Sequence, residues 1–440
     1  PYKQSQRKEI YQAYAKSLIK RGLAYPCFCT PEELNEIREK QEAAKIRPGY
    51  YGIWAKYRNF PIDEAAQKIK NGEEYIIRFK SQGREDRKIK HKDIIKGNIE
   101  FPENDQDIVI IKADGLPTYH FAHVVDDHLM RVTHVIRGDE WVSSIPLHLE
   151  LFKTLGFKPP KYAHTATIMK DENGSKRKIS KRKDPEAAVS YYHEEGIPKE
   201  AVIEYLLNIA NSNFEPWRRA NKDASLNQFE LQLNKMSVSG AVFDMVKLLD
   251  VSKNVISKFT AEKIYDEALK WAKRYDKELE TMLTVPNKEY AIKILSIERG
   301  KEKPRKDISK WSEIKKSIEY MYDDIFKNNT NYEFQKITDI NEIKTILKEY
   351  IEKYFNINDD KQTWFNKIKD LAENMGYARE VKEYKQEPEK YKGHVGDIST
   401  VIRVALTGRC NTPDLYEIMQ VLGENSIVKR INTFIEKYKT

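Results

Sequence analysis

Between residues 132 and 169 the sequence reads as strand, helix, strand, and that order restricts the fold more than any other stretch. Val132 to Ile136 is a short apolar run. Ser144 to Leu155 follows as a helix that Gly156 ends, and Tyr162 to Met169 is the second strand. Two strands joined by a helical crossover lie parallel, so the stretch predicts half of a doubly wound, α/β nucleotide-binding sheet. Arg137-Gly138 then falls at the carboxyl end of the first strand, where open sheets of this kind bind ligands.

A basic segment follows the second strand. Asn173 and Gly174 mark a turn, and Lys176, Arg177, Lys178, Lys181, Arg182 and Lys183 crowd one short loop around Lys178-Ile179-Ser180-Lys181-Arg182. Asp184-Pro185-Glu186 reads as a helix start, with an N-cap, a proline and an early acid. A cationic loop beside a helix start suits a polyphosphate, because its ammonium groups can stabilise charge developing on a leaving group. The same composition also fits a solvated face or a general nucleic-acid patch.

The chain has 440 residues, enough for about three domains that each bury a core. Lysine and arginine total 77 against 68 acids, a net charge of +9 that suits a polyanionic partner without demanding one. No apolar run approaches the ~20 residues of a membrane helix, so no membrane partner is expected. With only Cys27, Cys29 and Cys410 a disulfide framework is not expected, and a reducing cytoplasm is the simplest location. The chain opens at Pro1-Tyr2 with no methionine and no cap or turn, so a fragment is expected.

Upstream of the sheet, residues 4–22 read as an amphipathic helix closed by Gly22, and Thr30-Pro31-Glu32-Glu33 opens a second. The aromatic stretch from Gly49 to Phe60 predicts a turn and a strand. Glu73 to Lys80 and Asp107 to Lys112 read as strands, the latter holding a fully buried Ile108–Ile111 run. Cys27-x-Cys29 invites zinc, but a structural site needs four ligands and no second Cys or His pair follows within sixty residues, so no metal is expected. Asp126, Asp127 and His128, taken as adjacent strand or loop residues, point in different directions and are assigned a structural role. His123 on a helix face and Arg137 at a strand end each have plain packing or ion-pair explanations. From Pro185 onward the chain predicts helices, including Glu186 to Glu195, Lys199 to Ala210 and Ala261 to Tyr275. It ends in a helix through Arg403 to Gly408, a turn, a helix opened by Pro413 and, past Val421-Leu422-Gly423, a last helix.

Several words in this order resemble bacterial glutamyl-tRNA synthetases, class I aminoacyl-tRNA synthetases, over essentially the whole chain. They are Gln4-Ser5-Gln6-Arg7, Cys27-Phe28-Cys29, Gly115-Leu116-Pro117-Thr118-Tyr119, Val125-Asp126-Asp127-His128, Val135-Ile136-Arg137-Gly138 with Glu140-Trp141, Lys178-Ile179-Ser180-Lys181-Arg182, and Ala405-Leu406-Thr407-Gly408. The resemblance implies the second half of the family's Rossmann-like catalytic domain with an inserted acceptor-binding subdomain, then an all-α anticodon-binding domain. The implied divisions are 1–22 and 106–189 for the catalytic part, 23–105 for the insertion, 190–291 for a helical stem-contact region and 292–440 for the anticodon domain.

The resemblance also implies a reaction: ATP, with Mg²⁺, activates L-glutamate, and the glutamyl group passes to the 3′ end of tRNA(Glu). Arg137 would pair with a glutamate carboxylate, while Tyr119, His123 and Trp141 would line the amino-acid pocket. Lys178, Ser180 and Lys181, with Arg182, would hold ATP phosphates. Arg403, Thr412, Pro413 and Leu415 would meet the anticodon loop. The family's His-Ile-Gly-His signature would lie before Pro1, so the sequence as given is expected to lack activation activity by itself. The family's third zinc-ligating cysteine is absent near Tyr50–Trp54. A monomer is the default. The alternative reading is a catalytically incomplete tRNA-binding protein derived from the same family; a tRNA-modifying paralogue is disfavoured because it would lack an anticodon domain.

Overall fold

The computed structural model describes residues 2–329, 331–332 and 334–438. Pro1 and Thr440, which bound two of the expected segments, lie outside the described residues. The chain divides into two compact units, Pro1–Lys178 with Leu207–Phe243, and Ile179–Leu206 with Asp244–Thr440.

In the first unit, helix α1 (Lys8–Lys20) turns its buried Tyr11, Ala15 and Leu18 inward, and Gly22, at φ +69°, turns the chain into strand β1 (Ala24–Cys27). Helix α2 (Pro31–Ala43) starts as expected: the Thr30 hydroxyl accepts from the Glu33 N–H, and the Glu33 carboxylate accepts from Thr30. The aromatic stretch departs from expectation. It forms a 3₁₀ turn at Gly52–Trp54 and no strand, because Tyr50 and Tyr57 fold back to pack on Tyr25, Cys27 and Phe28 instead of alternating across a sheet.

After α3 (Ile62–Lys70), β2 (Ile76–Phe79) pairs antiparallel with β1 on one side and with β5 (Val109–Ile111) on the other. Within the expected buried run only Ile110 and Ile111 are buried; Ile108 and Val109 are half-exposed, as befits the outer strand of a three-stranded sheet. Between them lies a hairpin unread in the sequence, β3 (Lys88–Asp93) with β4 (Gly97–Pro102), whose turn closes on Gly97 at φ +75°.

Helix α4 (Tyr119–Leu129) contains Asp126, Asp127 and His128, which corrects their reading as strand or loop residues. Asp126 accepts from Arg7 Nε at 3.0 Å and from the Tyr11 hydroxyl at 2.5 Å, and His128 stacks on Phe157 at 3.6 Å. Those two residues are structural, tying α4 to α1 and to the chain after the next helix.

Strand β6 (His134–Gly138), helix α5 (Ile145–Leu155) and strand β7 (Lys161–Thr165) form the expected crossover unit, with Gly156 in the left-handed conformation at the end of α5. The two strands are parallel, and Arg137 sits directly beside His164 in their register.

The basic run is not all loop. Asn173 and Gly174, at φ +55° and +84°, make a two-residue hairpin turn between β8 (Met169–Glu172) and β9 (Ser175–Lys178), so Lys176–Lys178 lie in a strand. Residues 241–243 close on Met169, whose N–H donates to the Ala241 carbonyl at 2.8 Å, and a Cβ on Gly240 would stand 2.5 Å from the Thr167 carbonyl.

In the second unit, Asp184-Pro185 opens a single 3₁₀ turn, Pro185–Ala187, and α6 (Val189–Glu195) begins only at Val189. Helix α7 (Lys199–Ala210) matches its expected span, as does the helix Ala261–Tyr275, capped by Thr260. A single helical core runs from Ile256 to Phe434. The helix Val395–Thr407 ends on Gly408 at φ +71°. The next, Leu415–Lys437, is capped by Asp414 and not opened by Pro413, and breaks at Gly423.

Candidate active site

Arg137 at the carboxyl end of β6 is the centre of a polar cluster in the first unit. Its Nε donates to His164 Nε2 at 3.0 Å, and Nη1 and Nη2 approach His148 Nδ1 at 3.4 and 3.3 Å. Nη2 also donates to the Trp141 carbonyl at 3.2 Å, and Nη1 lies 3.5 Å from the Tyr119 hydroxyl. The guanidinium carbon stands 4.9 Å from the centre of the Tyr162 ring, within cation–π range. Among the described residues no carboxylate forms an ion pair with it.

A guanidinium only donates, so His164 Nε2 and His148 Nδ1 must accept and their other ring nitrogens carry the protons. His164 Nδ1 donates to Asp93 Oδ2 at 2.6 Å, and both side chains are fully buried. His148 Nε2 donates to His120 Nδ1 at 2.9 Å. His123 places its Nδ1 2.9 Å from Asp127 Oδ2 and its Nε2 2.9 Å from the Tyr162 hydroxyl. Asp127 therefore belongs to this cluster, unlike Asp126 and His128.

The electrostatics agree with neutral imidazoles. Burial, then the neighbouring His123 and Arg137, push His148 down to about 2. His120 is lowered by burial, His123 and Arg137; for His164, burial outweighs the stabilising contact with Asp93. Burial works against the Asp93 carboxylate, but the Lys96 N–H, the His164 ring and the Ile95 N–H hold it below the usual range.

Tyr119, 45% exposed, forms the open wall of the cluster. Its ring stands 4.4 Å from Trp141 and stacks on His123 at 5.9 Å. All four residues singled out in the sequence for one pocket, Arg137, Tyr119, His123 and Trp141, are thus brought together. His148, His164, Asp93 and Tyr162 were missed; a histidine on β7 beside an arginine on β6 was the one signal available, and it needs the register to be read.

Of the basic segment, Lys178 ends the first of the two segments that make up the first unit, and its ammonium lies 3.9 Å from Glu140, in the turn that follows Arg137-Gly138. Ser180, Lys181 and Arg182 belong to the second unit. There the Ser180 N–H donates to the buried Asp184 carboxylate at 2.9 Å, and the Ser180 carbonyl accepts from Lys183 and Asp184. That turn leaves the Lys181 and Arg182 side chains exposed.

Also in the second unit, Arg403 meets the other residues picked for nucleic acid. Its Nη1 donates to the Pro413 carbonyl at 2.8 Å, to the Thr412 carbonyl at 3.2 Å and to the Thr412 hydroxyl. Leu415, 3% exposed, points into the helical core, so it shapes the turn from beneath. Cys27 and Cys29 both place their sulfurs at the Tyr50 hydroxyl, 3.5 and 3.4 Å away, and among the described residues no three His, Cys, Asp or Glu side chains are placed to hold a metal ion. Among the described residues no helix is long and apolar enough to cross a membrane.

A family model for the catalytic domain of class I tRNA synthetases of the E and Q type matches residues 1–250, and one for an anticodon binding domain matches residues 263–435. The glutamate–tRNA ligase of Clostridium perfringens (strain 13) is 54% identical over 434 residues, covering 98% of this chain and 79% of that protein. That of Acetivibrio thermocellus is 52% identical over 435 residues, covering 99% and 79%. Among solved structures, a glutamate tRNA ligase from Elizabethkingia meningosepticum in complex with its amino acid is similar with a TM-score of 0.78 at 26% identity, covering 100% of this chain and 84% of that one.

Proposed function

Because this chain belongs to the glutamate–tRNA ligases, the class I tRNA synthetases of the E and Q type, we propose that it activates L-glutamate with ATP and transfers it to tRNA(Glu). The glutamate carboxylate attacks the ATP α-phosphate, the bond to pyrophosphate breaks, and a glutamyl-adenylate forms. A hydroxyl of the terminal adenosine of tRNA then takes the glutamyl group and AMP leaves.

The observation that carries the substrate assignment is the Arg137 guanidinium, held by two neutral imidazoles and matched by no carboxylate of the described chain. A cation so placed is an acceptor site for a carboxylate, and its planar fork favours two parallel hydrogen bonds. Tyr119, His123 and Trp141 give the pocket aromatic and imidazole walls. Lys178, Ser180, Lys181 and Arg182 offer ammonium, guanidinium and hydroxyl donors, which fit phosphate oxygens and not a metal ion. Mg²⁺ would be held by the triphosphate itself. Arg403, Thr412 and Pro413, with Leu415 beneath them, would meet the anticodon loop, where unstacked bases are read on such surfaces. Residues 23–105 would hold the acceptor end, 190–291 the stem and 292–440 the anticodon. The protein would work as a cytoplasmic monomer.

The experiment is ATP–pyrophosphate exchange with the full-length protein, glutamate and tRNA, and charging with the same protein. Exchange that depends on glutamate, and charging of tRNA(Glu), are expected; charging of tRNA(Gln) is measured beside it. Exchange with glutamine in place of glutamate removes the assignment, and tRNA binding without exchange or charging would favour the non-catalytic reading.

A further inference from the structure

We propose that Asp93 and His164 are positioning residues for amino-acid selection, acting through Arg137. The inference rests on the ligase reading above, since it concerns how the proposed glutamate-binding guanidinium is held.

Asp93 ends strand β3, on a hairpin separate from the β6–β7 pair. The hairpin is bound to β7 by the Ile94 N–H, which donates to the Tyr162 carbonyl at 2.9 Å. The Asp93 carboxylate is saturated by donors. Oδ1 accepts from the Ile95 and Lys96 N–H groups, each at 2.9 Å, and from the His164 N–H at 3.3 Å. Oδ2 accepts from the His164 N–H at 3.2 Å and from its ring at 2.6 Å. Among the described residues no Lys or Arg forms an ion pair with it, so its charge acts on the His164 ring, to which it can offer only an acceptor. The ring proton is thereby fixed on Nδ1, and Nε2 is left to accept from Arg137 Nε. A bond to Nε leaves the outer Nη edge of the fork free of that restraint and sets its plane.

The same hairpin reaches the turn after β6 by a second path. Lys96 Nζ lies 3.5 Å from Asp139 Oδ2, and Asp139 Oδ1 accepts from the Thr167 hydroxyl at 2.8 Å. The loop that carries Trp141 is thus fixed from the hairpin as well.

Asp93→Asn is the test. Its amide oxygen retains the backbone N–H bonds while its NH₂ turns toward His164 Nδ1. The ring must then accept there and carry its proton on Nε2, where it faces the Arg137 Nε–H, donor against donor. In the full-length protein the KM for glutamate in pyrophosphate exchange is expected to rise about ten-fold or more, the scale of a hydrogen bond to a charged group. The kcat and the KM for ATP stay within about two-fold. Histidine ¹⁵N spectra show the His164 proton moving from Nδ1 to Nε2.

A second pair keeps the test sharp if Asp93→Asn folds poorly. His164→Gln offers a donor toward Asp93 and an acceptor toward Arg137, so its KM for glutamate stays within about three-fold, while His164→Leu matches Asp93→Asn. Equal losses in His164→Gln and His164→Leu overturn the proposal. So does an unchanged KM for glutamate in Asp93→Asn, or a fall in kcat and in the unfolding midpoint together with an equal rise in both KM values. A wild type without glutamate-dependent exchange refutes the ligase reading, and this inference with it; an active wild type with any of the other outcomes refutes this inference alone.

Discussion

Arg137 and His164 are register partners on adjacent parallel strands, and the guanidinium Nε donates to the imidazole Nε2 at 3.0 Å. Arginines at strand ends are usually neutralised by a carboxylate. Here Asp93 acts at one remove through a neutral ring, so the arginine is held in place without its charge being cancelled. Orientation without neutralisation leaves the guanidinium able to take a carboxylate from outside the chain.

The first prediction follows from that geometry. Arg137→Lys keeps the charge but loses the Nε donor to His164 and the planar fork. The KM for glutamate should rise by ~30–100-fold, about 2–3 kcal/mol of lost charge-assisted hydrogen bonding, with the KM for ATP little changed. Initial-rate pyrophosphate exchange over a range of glutamate concentrations measures it; a KM unchanged from wild type refutes the role.

The buried imidazoles make the first unit acid-sensitive. His148 titrates near 6.5 in the unfolded chain and is pushed down to about 2 in the fold, so below pH 6.5 the unfolded state binds a proton that the folded state refuses. Stability is therefore complete above pH 6.5 and is lost as pH falls toward the folded value, by up to ~1.4 kcal/mol per pH unit for one withheld proton. His120 and His164 are shifted in the same direction and add to the slope. Urea titrations at pH 7.5 and 5.5 should show the fall. His148→Gln, which keeps a donor and an acceptor but does not titrate, should flatten it, and an unaltered slope would show that His148 is protonated in the fold.

Much of this was open to reading from the chain. Thr30 with Glu33, Gly156, and the spans Lys199–Ala210 and Ala261–Tyr275 carry their own caps and periodicity, so the helices declared themselves. Arg137 was found because an apolar run ends just before it. The hairpin β3–β4 was not, because Lys88, Lys90 and Lys92 alternate with residues only half-buried and no apolar run announces a strand. His164 and Asp93 were invisible for a different reason. They lie 71 residues apart, and their meaning depends on a strand register and on which ring nitrogen carries the proton. The aromatic stretch misled because richness in aromatics suggests a strand, whereas its rings pack on a neighbouring segment.

Lys181 is expected to separate activation from tRNA binding. Its side chain is exposed on a turn that the Ser180–Asp184 hydrogen bonds hold, so Lys181→Ala removes a charge without disturbing the backbone. Activation should fall roughly 100-fold, about 2.7 kcal/mol, as when a group aimed at developing phosphate charge is lost, while tRNA affinity changes by less than about two-fold. Exchange rates and equilibrium tRNA binding measured on one preparation decide; equal losses in both would make the segment a general nucleic-acid patch.

Arg403 makes the opposite prediction. The same guanidinium group holds the Thr412 and Pro413 carbonyls, and burial lowers its pKa, so it is a fixed donor at the edge of the turn. Arg403→Ala should weaken tRNA(Glu) binding by ~1–3 kcal/mol if it reads a base, with activation of glutamate unchanged. Salt dependence tells base from backbone: loss of a phosphate contact lowers the slope of log affinity against log salt by about one, whereas loss of a base contact leaves it unchanged. Arg409→Ala is the control for local structure, because Arg409 pairs with Glu319 at 2.7 Å and lies over the Tyr320 ring in the same helical unit. A comparable loss from Arg409→Ala, with the salt slope lowered in both variants, would assign the effect to positive charge and not to base reading by Arg403. Unchanged affinity in Arg403→Ala would move the anticodon contact away from the turn at Thr412 and Pro413.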